Sequence, residues 1–81
     1  MRILYFAYLV DKLGRASEEL ALPDGVRTVG ALLGLLRSRG GVWTQALADH
    51  QVQVMVNRAF VSLGDPVAPG DEVAIVSKTR G

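Results

Sequence analysis

Eighty-one residues without a cysteine make a single small domain, held by its apolar core alone, with no disulfide framework or thiolate metal site. Hydrophobic residues at 49% and charged residues at 21% describe a compact globular chain and exclude an intrinsically disordered one. Nine Lys and Arg against eight Asp and Glu leave a formal charge of +1, and the basic residues are scattered, so no nucleic-acid partner is expected.

Residues 3–9 are apolar on both faces, with Ile3, Tyr5, Ala7 and Leu9 on one and Leu4, Phe6 and Tyr8 on the other. That pattern predicts a strand buried on one side and largely covered on the other. Asp11-Lys12 closes the run. It is too short to span a bilayer and carries no Ala-x-Ala cleavage pattern, so neither a leader nor a membrane segment is expected. Residues 10–14 form a connection with room for one helical turn. Residues 16–22 predict a second strand, antiparallel to the first and stopped by Pro23-Asp24-Gly25.

Thr28 is an N-cap candidate, and Val29, Leu32, Leu33 and Leu36 then fall at i, i+3, i+4 and i+7 on one helical stripe. Arg37 and Arg39 are expected in the last turn, where positive charge suits the helix dipole, and Gly40-Gly41 ends the helix. Gly30 and Gly34 form a small-residue pair read as a close approach of this helix to a sheet. Residues 42–48 predict a short second helix carrying Trp43 and Leu47. Residues 51–56 alternate cleanly, with Val52, Val54 and Val56 on one face of a half-buried strand. Asn57-Arg58 is a turn, 59–62 a short edge strand, and Asp65-Pro66 and Pro69-Gly70-Asp71 punctuate a loop before the final strand, 72–76.

One main helix packed on one face of a mixed sheet of about five strands is an α+β design. With the first and last strands central, the order is that of a ubiquitin-like β-grasp. The expectation is one domain over 1–81, with 77–81 an extended C-terminal tail. That tail, Ser77-Lys78-Thr79-Arg80-Gly81, follows a core strand and finishes on a residue without a side chain. It suits a terminus inserted into another protein's active site, and it also fits a frayed end.

No internal catalytic constellation is legible. His50 stands alone beside Asp49, without metal-ligand partners at suitable spacing. Gly40-Gly41 follows a helix, the wrong side for anion binding. The neighbours Glu18-Glu19 and Asp71-Glu72 would point to opposite faces of a strand and form no carboxylate dyad. Ser17, Ser38 and Ser62 lack a triad histidine. A reactive group would have to be the chain's own terminus or one supplied by a partner.

Five fragments carry a resemblance: Ile3-Leu4-Tyr5-Phe6-Ala7, Leu13-Gly14, Gly40-Gly41-Val42-Trp43, Val56-Asn57-Arg58-Ala59-Phe60-Val61 and Gly70-Asp71-Glu72-Val73-Ala74. In this order and spacing the chain resembles the small subunits of molybdopterin synthase, a family of ubiquitin-like sulfur carriers. The resemblance implies a non-catalytic subunit of a sulfurtransferase complex that binds no cofactor or metal itself. Its C-terminal carboxylate is adenylated with ATP by a partner related to ubiquitin-activating enzymes and converted to a thiocarboxylate. The tail then inserts into the large synthase subunit and donates sulfur in molybdenum cofactor biosynthesis, in the cytoplasm. By motif position Gly81 would carry the sulfur, and Ser77, Lys78, Thr79 and Arg80 would thread the channel. Phe6, Phe60 and Val76 stand where the family presents an apolar patch to its partners, although Phe6 and Phe60 fit the ordinary core equally well.

The tail departs from the family pattern. Ser77-Lys78 stands where prolines are expected, and Arg80 precedes Gly81 where the family has Gly-Gly. Either Gly81 is the penultimate glycine, with another to follow, or Arg80 replaces the first of the pair. The alternatives to the carrier are a non-catalytic β-grasp binding module and a sulfur carrier for another pathway.

Overall fold

Strand β1 (Arg2–Phe6) opens the chain in the computed structural model, which describes residues 1–78. Ile3 and Tyr5 point into the core, and Leu4 and Phe6 point away from it. The strand stops three residues short of the expected 3–9. Ala7 adopts φ 53°, and the chain turns directly into helix α1 (Tyr8–Leu13). Leu9 and Leu13, four apart, bury on one helical face. The apolar run fits either period, and packing chose the helix. Gly14, at φ 75°, closes it in the left-handed conformation that favours glycine.

Strand β2 (Ser17–Glu19) pairs antiparallel with β1, as expected, but is shorter than 16–22. A reciprocal contact of Met1 with Leu20 continues the pairing just past the strand. Helix α2 (Val29–Arg37) starts where the sequence places it, with the Thr28 Oγ1 accepting from the Ala31 N–H at 3.2 Å. Val29, Leu32, Leu33 and Leu36 are completely buried. Arg37 closes the last turn, whereas Arg39 lies beyond the Ser38 cap. Gly30 does make a close approach, but to the loop after β4 and not to the sheet. Its N–H donates to the Leu63 carbonyl at 2.8 Å. Around Gly34 the nearest neighbour of an added Cβ would be the Arg37 side chain, at 3.9 Å.

Helix α3 (Val42–Ala46) is shorter than the predicted 42–48, and a 3₁₀ turn, Asp49–Gln51, follows it. Strand β3 (Val52–Val56) runs through a two-residue turn into β4 (Ala59–Val61). Asn57 and Arg58 both take positive φ, 50° and 71°, the turn geometry that matches strand twist. Strand β5 (Glu72–Ser77) completes a five-stranded sheet in the order β2-β1-β5-β3-β4. β1 and β5 are parallel and the remaining pairs antiparallel, so the first and last strands lie inside the sheet as expected. The core fills one face of this sheet, where α1, α2 and α3 meet Ile3, Tyr5, Val52, Val54, Val73 and Ile75. The architecture is the mixed α+β grasp read from the sequence.

Candidate functional site

The face of the sheet opposite the helices carries an apolar patch, and register explains why. Alternation sends Leu4 and Phe6 of β1, Ala74 and Val76 of β5, Met55 of β3 and Phe60 of β4 to that side. Pairing then lines up Leu4, Ala74, Met55 and Phe60 across four strands, with Phe6, Val76 and Gln53 in the next row. Phe60 is 68% exposed and Phe6 45%, so neither belongs to the core. Leu4, Met55, Ala74 and Val76 are half-buried around them. Two exposed phenylalanines in adjacent rows of one apolar patch are the signature of a surface that meets another molecule.

The tail begins beside this face. Ser77 pairs with Val52 at the end of the β3–β5 ladder, and the Lys78 N–H donates to the Gln51 carbonyl at 2.7 Å. Phe6 pairs with Val76, one residue before Ser77, so the root of the tail adjoins the aromatic row. Thr79, Arg80 and Gly81, expected to thread a partner's channel and to carry the sulfur, lie outside the described residues.

At the other end of β5 a side-chain clamp fixes the strand. Asn57 Nδ2 donates to Asp71 Oδ1 at 3.0 Å, and Asn57 Oδ1 accepts from the Glu72 N–H at 3.0 Å. The backbone adds Asn57 N–H to the Glu72 carbonyl at 2.8 Å, and Asp71 Oδ2 accepts from the Ala68 N–H at 2.8 Å. The Val-Asn and Gly-Asp-Glu fragments, distinctive in the sequence, therefore meet in space. In the sequence they stand apart; the signal that joins them is an asparagine opening a tight turn and an aspartate just before the neighbouring strand.

A second polar cluster, not marked by any sequence pattern, lies on the helix side of β2. Glu18 receives Arg39 in a two-point contact, at 2.7 and 2.8 Å, and the Tyr5 hydroxyl at 2.8 Å, with Arg15 at 3.5 Å. The Arg39 guanidinium lies 4.4 Å from the centre of the Trp43 ring, and Trp43 meets Tyr5 edge-on at 5.7 Å. The Arg39 hydrogen bonds hold the Glu18 carboxyl below its ordinary value, against the opposing pull of burial. Burial, together with Glu18, raises the Tyr5 phenol. Each polar group is matched, so the cluster is built to join β1, β2 and α3 and not to carry a reaction. Glu19 points to the opposite, exposed side, and His50 is exposed in the 3₁₀ turn. Among the described residues no group of three or more His, Cys, Asp and Glu is placed to hold a metal ion, and no helix is long and apolar enough to cross a membrane.

Known proteins match this chain along its whole length. The sequence profile of the ThiS family matches residues 3–81. The molybdopterin synthase sulfur carrier subunit of Escherichia coli (strain K12) is 31% identical over 81 residues, which cover 100% of this chain and 98% of that protein. The crystal structure of small archaeal modifier protein 1 from Haloferax volcanii superposes with a TM-score of 0.75 at 27% identity, covering 94% of this chain and 93% of its own. A Pyrococcus furiosus structure, assigned as molybdopterin converting factor subunit 1, gives 0.77 at 25% identity, covering 96% and 95%.

Proposed function

The chain belongs to the ThiS family, and from that premise we propose that it is the sulfur-carrier subunit of a molybdopterin synthase, active in molybdenum cofactor biosynthesis. The observation that carries the reading is the full-length match to a carrier subunit of nearly equal length. The exposed apolar row that adjoins the root of the tail supports it.

In this reading the carboxylate of Gly81, or of a glycine that follows it, attacks the α-phosphate of ATP. An acyl adenylate forms and pyrophosphate leaves. ATP belongs to the adenylating partner, an enzyme of the ubiquitin-activating type. Sulfide supplied by a partner then adds to the acyl carbon, AMP leaves with the bonding electrons, and the thiocarboxylate remains. The large synthase subunit takes up the tail, Ser77 to Arg80 thread its channel, and the thiocarboxylate sulfur passes to the pterin precursor while water supplies the oxygen that restores the carboxylate. Phe6, Phe60 and Val76 form the docking face for both partners. Among the described residues none is called on as acid, base or nucleophile; the chain binds and presents its terminus. A narrow, water-excluding site in the adenylating partner protects the acyl adenylate from hydrolysis. The cytoplasm, where ATP is available, is the compartment this chemistry requires.

The test is the intact mass of the native protein isolated from its own cells. A gain equal to one oxygen-to-sulfur exchange, mapped to Gly81 or a following glycine, is the expected result. An unmodified carboxylate in cells that are making molybdenum cofactor overturns the carrier and leaves a non-catalytic binding module.

A further inference from the structure

The root of the tail is only as well placed as the segment that holds it. The Gln51 carbonyl, which receives the Lys78 N–H, closes the 3₁₀ turn Asp49–Gln51. That turn has no side-chain cap at Ala48. A single guanidinium from the last turn of α2 reaches it: Arg37 Nη1 donates to the Leu47 carbonyl at 2.9 Å and to Asp49 Oδ1 at 2.6 Å. The Arg37 backbone is secured in turn, its carbonyl accepting from the Thr44 hydroxyl at 3.0 Å. A separate observation puts this contact beside the tail, since Asp49 and Lys78 line one surface cavity together with Val52 and Gln53.

We propose that Arg37 is a positioning residue for the C-terminal tail: it pins residues 47–51 to α2, and so sets where the tail leaves the sheet relative to the Phe6–Val76 row. The inference rests on the carrier reading for its consequence, though not for its geometry. A carrier must seat its apolar face and its terminus on one partner at once. Freedom at the root spreads the terminus over many positions and lowers its effective concentration at the reacting phosphate. The Arg37 and Asp49 side chains are 27% and 48% exposed, so their ion pair contributes little to global stability. Its effect is local.

The test uses the full-length protein as R37A and R37K, with D49N as a milder variant that leaves the Leu47 contact in place. Amide exchange is followed by NMR, and adenylation kinetics are measured with the organism's adenylating enzyme. In R37A the Lys78 amide is expected to exchange about tenfold faster while Ile75, at the centre of β5, keeps its protection. The kcat for adenylation falls about 5- to 10-fold with KM unchanged, because the docking face is intact. R37K restores part of both. Wild-type exchange at Lys78 in R37A overturns the proposal, as does a KM increase accompanied by uniform loss of protection along β5. If R37A does not fold, D49N is read by the same criteria, with smaller shifts. A wild-type protein that is never adenylated removes the carrier reading, while the exchange measurement still decides whether Arg37 holds the root.

Discussion

Glu18 is a carboxylate whose folded environment differs sharply from water. Its side chain is 10% exposed and is held by Arg39, Tyr5 and Arg15. Because its folded pKa lies below the ordinary 4.5, the stabilisation it contributes is complete above that pH and is lost as pH falls through the lower folded value. E18Q is expected to cost about 1–3 kcal/mol at neutral pH, since it weakens a charge-assisted pair and leaves Arg39 uncompensated. Thermal melts across pH 2–7 would show the acid limb of the wild type flattened in this variant. Tyr5 acts at the other extreme. Its raised phenol pKa contributes stability that is full below about pH 10 and is lost above it. Asn57 matters for its side chain and its backbone together. N57G keeps the positive φ but loses the bonds to Asp71 and Glu72, and is expected to cost about 1–2 kcal/mol in a denaturant titration.

At the scale of elements, α2 offers a comparison between two glycines on one helix. Removing a mid-helix glycine gains about 0.5–1 kcal/mol where there is room for a methyl group. At Gly34 there is room, because the nearest neighbour of a new Cβ is the end of the Arg37 side chain at 3.9 Å. G34A should therefore raise Tm by about 3–6 °C. At Gly30 the new Cβ would stand 3.2 Å from the Leu63 carbonyl oxygen, which also accepts the Gly30 N–H. G30A must displace that loop, and differential scanning calorimetry should place its Tm below that of G34A. The sequence marked both glycines as small, yet only the fold tells which one a neighbouring backbone approaches. The same contrast holds at β1: an apolar run satisfies strand and helix periods alike, and the burial of Leu9 and Leu13 against the core decided for the helix after Phe6.

At the scale of the whole molecule, one face of the sheet builds the fold and the other is free to dock. Phe60 is exposed enough to be changed without opening the core. F60D is expected to leave Tm within about 2 °C of the wild type. It should weaken association with the large synthase subunit by at least about tenfold, measured by isothermal titration calorimetry. Unchanged binding would remove the aromatic row from the docking surface. R37A should behave in the opposite manner, docking normally and reacting slowly. Together the two variants separate recognition by the sheet from presentation of the tail.

The sequence by itself determined the features whose cause lies within a few residues. These include the Thr28 cap and leucine stripe of α2, the alternating valines of β3, the Asn57-Arg58 turn and the position of β5 just before the tail. The end-to-end order of family fragments carried the fold as well. Tertiary structure alone decided where β1 stops, how short β2 is and whether Phe6 and Phe60 lie inside or outside. It also decided which polar side chains meet: Asn57 finds Asp71 across 14 residues, and Arg39 finds Glu18 across 21. Periodicity records the face a residue occupies on its own element, but a partner is chosen by how elements pack, and that information is spread over the whole chain.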